Sequence, residues 1–382
     1  MTWDIKTGIR IQYEKPSGTW NSIQCDTFEV SIDRGIDVQE GVFARPSVGT
    51  AEIRLMKSSL ADFINGPDYQ SNQRIRIEWL NGSFYDPLFY GFIQNIDMSY
   101  VVEAKSLQVN ITANDMGRIA LNTDIPLMIV GSGSSRSFIN VMNQLEALIK
   151  ATDSRYDVTQ FLTGGSSTFQ QQSYVFEETN SGAIYQHLLD AELGWLWASP
   201  FSNGDMEFMT RTDVATQKGS AWDSTALTVS NIHSTSLSHV CMDNMQLAYN
   251  SDNIANQVRV TNGSTGVKTT ATNTSSVTAY GRQLADFEVI FDGVSPSSTY
   301  AQWASAVANA ANPKAITNIS VPVITDTGFP SLIILRDVGE PLQVEFASAG
   351  LPTLQEKYLM TRHNHVITAE HWEMNIGLWR GI

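Results

Sequence analysis

Charge is scarce in this chain. Asp, Glu, Lys and Arg supply only 16% of its 382 residues, and 39 acids outnumber 24 bases for a net charge of −15. That sign excludes a protein that grips nucleic acid through its phosphates. A conduit past which DNA slides stays open. Cysteine is nearly absent. Cys25 and Cys241 form neither a framework nor a CxxC pair, so they read as reduced, partly buried thiols. No apolar run reaches the length of about 18 residues that marks a membrane span. The opening MTWDIKTGIRIQYEK carries acidic residues and has no signal-type apolar core, so no export signal is expected. GSGSSRS at 131–137 has no following GK[ST], so it is no phosphate loop. Nucleophile elbow, H-E-x-x-H and dinucleotide fingerprints are missing as well.

What is present is strand texture. The hydrophobic fraction of 42% is that of a folded protein, and the length asks for more than one core. GIRIQYE, TFEVSIDRG, SVGTAEIRLM, QRIRIEWL, PLFYGFIQNIDMSY and SLQVNITAND alternate apolar and polar residues. In the fourth, Ile75, Ile77 and Trp79 face one way and Arg76 and Glu78 the other. Turn signals separate the runs at Asp33-Arg34-Gly35, Asn65-Gly66-Pro67 and Asn81-Gly82. After Asp124 the period changes. FINVMNQLEALIKAT and SGAIYQHLLDAEL space their apolar residues as helices do, the second ending near Gly194. GWLWASPFSNGDMEFMTR then reads as a hairpin turning at Ser202–Asp205. Strands resume with NQVRVTN, with SSVTAYG leading into another. A helix is expected at about 299–311, stopped by Asn312-Pro313.

The chain also echoes itself. QRIRIEWL, LFYGFIQNIDMSY and LQVNITAND near the front match EPLQVEFAS, YLMTRHNHVITA and HWEMNIGLW near the end. In each set an alternating strand precedes a long hairpin. The resulting expectation is mainly β with an α/β insertion: a small β-barrel over 1–123, a helix-and-hairpin module over 124–240, and a second, similar barrel over 241–382.

Residues that could carry chemistry have simpler readings. His363 and His365 share one face of a strand, and His371 opens the return strand with Glu370 and Glu373 nearby. Two ligands at i and i+2 can hold zinc, but strand alternation accounts for all three histidines, and zinc is not expected. Asp190 and Glu192, with Glu177 and Glu178, could form a glycosidase pair. They end a helix, where a solvated face is the ordinary state. Trp195 and Trp197 could stack on a sugar, or cover a helix in the core. No catalytic, cofactor-binding or metal-ligating residue is assigned, and no cofactor is expected.

Several ordered stretches resemble the hub or minor tail proteins at the tip of long-tailed bacteriophages. They are VSIDRG with FARPSVGTAEIRLMKSSLADF, then IRIEW with PLFYGFIQNIDMSY and LQVNITAND. IYQHLLDAELGWLWASPFSNGDMEFMTR follows, then NQVRVTN through QWASAVANAANPKAITNISV, and finally YLMTRHNHVITAEHWEMNIGL. Gly91 and Thr112-Ala113-Asn114-Asp115 carry part of the likeness. The resemblance implies a non-enzymatic virion protein at the distal end of the tail, assembled in the host cytoplasm. It implies a homotrimeric ring that joins a hexameric distal tail protein ring to a trimeric tip or fibre, with DNA leaving through the channel. Because the sequence stops just after the last hairpin, no attached cell-wall-cutting domain is expected. A carbohydrate- or receptor-binding tail protein is the alternative, a host glycan hydrolase the weaker one.

Overall fold

The structure is a computed structural model. It describes residues 8–39, 43–130, 138–156, 162–164, 174–210, 213–214, 227–231, 239–249, 254–263, 266–289, 314–323, 330–348 and 353–380. The first stretch of chain is β1 (Ile9–Glu14), β2 (Trp20–Ser22), β3 (Thr27–Gln39), β4 (Phe43–Pro46), β5 (Thr50–Lys57), helix α1 (Ala61–Asn65), β6 (Arg74–Asn81), β7 (Phe84–Val101), β8 (Ser106–Asp115) and α2 (Gly117–Asn122). The middle holds β9 (Asp124–Val130), α3 (Phe138–Thr152), β10 (Leu162–Gly164), β11 (Tyr174–Asn180), α4 (Ser181–Glu192), β12 (Trp195–Ala198) and β13 (Met206–Met209). The last stretch runs through β14 (Leu227–Ser230), β15 (His239–Cys241), β16 (Asn244–Tyr249), β17 (Gln257–Asn262), β18 (Lys268–Thr272), α5 (Thr274–Tyr280), β19 (Leu284–Val289), β20 (Lys314–Pro322), α6 (Pro330–Ile334), β21 (Pro341–Phe346), β22 (Leu354–Thr368) and β23 (Trp372–Trp379).

Local sequence explains most of these elements. In β6, Ile75 and Ile77 are fully buried and Trp79 nearly so, as period-2 alternation requires. Asn180 caps α4, its side chain accepting from the Gly182 amide. That helix ends one residue before the expected Gly194, because Leu193 takes the left-handed conformation. The turn after β12 uses Asn203 and Gly204, both with positive φ. SSVTAY differs from its reading as a lead into a strand. It is helix α5, started by Asn273, whose side chain accepts from the Ser276 amide at 3.0 Å. The helix expected at 299–311 lies outside the described residues.

Front and back share one sheet, which corrects the expectation of two β-barrels over 1–123 and 241–382. Among the described residues the sheet has 15 strands, with the path β15-β14-β21-β22-β3-β5-β8-β7-β6-β1-β2, β23, β20 and β16 branching from β22, and β4 paired to β3. The path is open among the described residues, and neither half closes on itself there. The cause lies in β3. The edge that would return to close a front barrel is taken up by β22, with Arg362 opposite Gly35 and Thr368 opposite Glu29. Val30 and Ile32 are fully buried beside Ile367 and His365. One hydrophobic core therefore runs from Ile11 to Leu378 across both halves. A second core gathers α3, α4, β9 and the β12–β13 hairpin. A third, with Ile36, Trp195, Trp197, Leu359 and Trp379, lies where the middle meets β3 and β22.

The internal repeat survives as strand order. The front pairs β3-β5-β8-β7-β6-β1, and the back pairs β16-β20-β23-β22-β21-β14, in the same order along the chain. Each long middle strand carries a bulge at the matching place, Gln94 in β7 and Thr361 in β22. The residue before each bulge closes the same backbone loop: Ile93 N donates to Gln73 O at 2.9 Å, and Met360 N to Glu340 O at 3.0 Å. Just ahead of these acceptors, Asn72 and Gly339 both have positive φ. The halves differ at one end, where β1 is antiparallel to β6 but β14 is parallel to β21.

Candidate functional site

The contact between β3 and β22 is where front, middle and back converge. Its solvent side is ionic. Arg362 Nε donates to Asp33 Oδ1 at 2.7 Å, and its Nη1 reaches Asp37 Oδ1 at 3.3 Å. These groups are largely exposed, so each pair contributes at most about 1 kcal/mol. Gly35 permits the close approach. A Cβ there would sit 2.3 Å from Thr361 O, and φ is +147°.

The core side holds the histidines. His363 and His365 are both fully buried, with ring centroids 6.2 Å apart. Trp372 Nε1 donates to His365 Nδ1 at 3.2 Å, so that nitrogen carries no proton. Burial and the nearby Arg34 guanidinium push both imidazoles below their ordinary range, His365 to about 3 and His363 downward with His365 as a further cause. Both are neutral at physiological pH. His371 sits apart at the exposed end of the hairpin, Nε2 3.4 Å from Glu373 Oε2. The three histidines do not converge. Among the described residues no group of three or more His, Cys, Asp or Glu is placed to hold a metal ion.

Asp337 ties the junction together. It lies in the loop between α6 and β21, and its Oδ1 takes the buried Arg34 guanidinium and the Val338 amide. Oδ2 accepts from Ser199 Oγ at 2.5 Å and Trp197 Nε1 at 3.3 Å. One carboxylate thus binds β3, the middle module and its own loop. Such satisfaction is what a buried charge requires.

The candidate carboxylates are structural in placement. Asp190 accepts from Arg45 Nη1 at 2.8 Å and Gln186 Nε2 at 2.7 Å, joining α4 to β4. Burial raises it to about 6 against the pull of Arg45. Glu192 is buried, whereas Glu177 and Glu178 are exposed on β11. Trp195 and Trp197 are 1% and 4% exposed, so they offer no stacking platform to a sugar. Trp195 meets Trp379 edge to face, centroids 5.2 Å apart. Sequence reasoning missed Glu146, the acceptor of Tyr156 Oη at 2.6 Å and of Tyr185 Oη. Burial raises it to about 7. Asp115, singled out in the sequence only as part of the family likeness, is likewise raised to about 7 by burial and accepts from the Gly49 and Gly117 amides. Tyr185 and Gly49 come from distant parts of the chain, so the burial of these two carboxylates left no local signal.

The fold is one that solved tail proteins share. The chain is similar to a tail protein from Neisseria meningitidis, with TM-score 0.61 at 10% identity, covering 97% of this chain and 96% of that one. It is similar also to a 43 kDa prophage tail protein from Shewanella oneidensis, with TM-score 0.57 at 10% identity, covering 98% and 96%. An E. coli type VI secretion component, described as structurally similar to T4 bacteriophage tail proteins, matches with TM-score 0.50 at 9% identity over 94% of this chain and 74% of that one. At such identities the likeness is one of fold. No family model matches the chain, and no curated protein matches its sequence.

Proposed function

We propose that this chain is a structural protein of a bacteriophage tail, built into the distal tip or baseplate as a three-copy ring around the DNA exit. The observation that carries the reading is the repeated strand order, β3-β5-β8-β7-β6-β1 against β16-β20-β23-β22-β21-β14. A chain that presents one half-sheet twice gives a three-copy ring six similar surfaces. Such a ring matches a six-copy tail end on one side and a three-copy tip or fibre on the other. The fold shared with two tail proteins over nearly their whole lengths supports the tail setting. The net charge of −15 suits a wall that DNA slides past without binding. The buried Trp195 and Trp197 give the glycan-binding alternative no support. Reconstruction of the assembled tail tests the proposal. Three copies around an axial opening at the distal end are expected. Six copies, or a place on the capsid or a side fibre, would overturn it.

A further inference from the structure

The β3–β22 contact joins two non-equivalent positions of the repeat. β3 is the outer strand of the front half-sheet. β22 is the middle strand of the back half-sheet, and past its bulge it offers β3 the edge that β21 leaves uncovered. Their counterparts are β16 and β7. Among the described residues, β16 pairs only with β20, and β7 past Gln94 pairs only with β8. Among the described residues the chain therefore holds one filled seam and both separated sides of a second, unfilled one. In the open sheet these two sides are parted by β20, β23, β22, β3, β5 and β8.

We infer that a second copy of this chain fills the empty seam, β16 of one copy adding antiparallel to the free edge of β7 in the next. The inference rests on the ring reading and names its interface. The register follows from the repeat. Superposing the bulges places Thr361 on Gln94 and Asn375 on Asn110. Through β20 and β5, Asn244 then falls on Glu29, and Thr368 falls on Val101. Because Glu29 faces Thr368 in the filled seam, Asn244 faces Val101 in the other. Met245 then faces Tyr100, and Leu247 faces Met98.

Surface chemistry supports this independently. Leu247 is 48% exposed and Tyr100 41%, whereas their counterparts Ile32 and Ile367 in the filled seam are fully buried. Apolar side chains stand in the open where the repeat expects a covering strand. An exposed strand edge flanked by such residues is a ready template for strand addition. The contact is head-to-tail, so successive copies close into a ring when the rotation allows it.

The test places cysteines across the seam in the full chain, with Cys25 and Cys241 changed to Ser. Directly opposed residues of antiparallel strands have Cβ atoms about 4.5–5.5 Å apart, within reach of a disulfide or a short bismaleimide. Met98→Cys with Leu247→Cys is expected to link chain to chain on non-reducing gels. Ser99→Cys with Leu247→Cys, on opposite faces, is not. Linked species that stop at three chains uphold both seam and ring. Species that continue past three uphold the seam and defeat the three-copy ring. No linkage of the Met98 and Leu247 positions in concentrated protein, or equal linkage of the Ser99 control, overturns the seam. Three copies in the assembled tail would then still uphold the ring. Leu247→Arg changes an exposed side chain and leaves the thermal midpoint in place. Added to Tyr100→Cys with Met245→Cys, it is expected to cut linkage about tenfold, the effect of ~1.4 kcal/mol. Unchanged linkage would also overturn the seam.

Discussion

Arg34 and Asp337 stand 303 residues apart in the chain and form a buried ion pair. The arginine side chain is 3% exposed and the aspartate 10%. Removing one partner strands the other charge in the core, which costs about 3–5 kcal/mol. Arg34→Met is expected to lower the urea unfolding free energy by that amount. Asp337→Asn is expected to cost as much, since it leaves the Arg34 charge unpaired and, with its oxygen accepting from Ser199 and Trp197, turns its NH2 toward Arg34 and the Val338 amide. A loss under about 1 kcal/mol for Arg34→Met would show that the pair does not hold the junction.

The buried histidines set an acid limit. Their folded pKa values lie below the unfolded one, so the stability they contribute is present above about pH 6.5. It is lost as pH falls from there toward about 3, the value for His365. Across that window the unfolded chain binds protons that the folded chain refuses. His363→Leu removes one such group. Its stability relative to wild type is expected to rise by about 1.4 kcal/mol per pH unit below pH 6.5. Denaturant titrations at pH 7, 6 and 5 measure this, and a pH-independent difference would place the ring in water.

Glu146 acts with the opposite sign. Its folded pKa, raised by burial to about 7, exceeds the unfolded value. The stabilisation is full below about pH 4.5 and is lost as pH rises through about 7. Glu146→Gln keeps an acceptor for Tyr156 and Tyr185 and does not titrate. Relative to the variant, wild type is expected to weaken by about 1.4 kcal/mol per pH unit across that window. A flat difference between pH 5 and 7 would mean that the carboxylate is ionised throughout.

Gly35→Ala tests the close approach of β3 to β22. Positive φ alone costs about 1–3 kcal/mol, and the contact with Thr361 O adds to it. A lower thermal midpoint is expected, with earlier protease cleavage in β3. Gly82→Ala serves as the comparison, because its Cβ meets nothing within 4 Å although φ is also positive. Equal losses in the two variants would remove any special role for the seam.

Trp195→Ala is expected to cost about 3–5 kcal/mol, as a large buried ring does. A stable variant that had instead lost binding to a glycan array would reverse the core reading of this residue.

Much of this architecture was legible in the sequence. Alternation in Ile75, Ile77 and Trp79 gave strand and face together, because period 2 is a local property. The helices Phe138–Thr152 and Ser181–Glu192 were readable for the same reason at period 3.6. The barrels failed because alternation says which face a strand buries and not which neighbour it takes. Val30 and Ile32 would look the same in a closed front barrel as they do beside Ile367 and His365. SSVTAY, read as a lead into a strand, is instead a helix whose start the Asn273 side chain sets by accepting from the Ser276 amide. At the junction the two histidines could be placed on one face of a strand. Their partner Arg34 and the carboxylate beyond it could not, since no spacing rule links residues from opposite ends of a chain.

The pairing of β3 with β22 also dictates a timetable for synthesis. β3 leaves the ribosome early, but the strand that covers its edge, and the aspartate that neutralises Arg34, emerge only near the end. At about 5–20 residues per second the wait is tens of seconds. Throughout it the nascent chain carries an uncovered edge and a cation without its counterion. Everything from β3 through β22 must be made before the sheet can be sewn together, so products cut short of β22 are expected to remain chaperone clients rather than to fold as smaller versions of the protein.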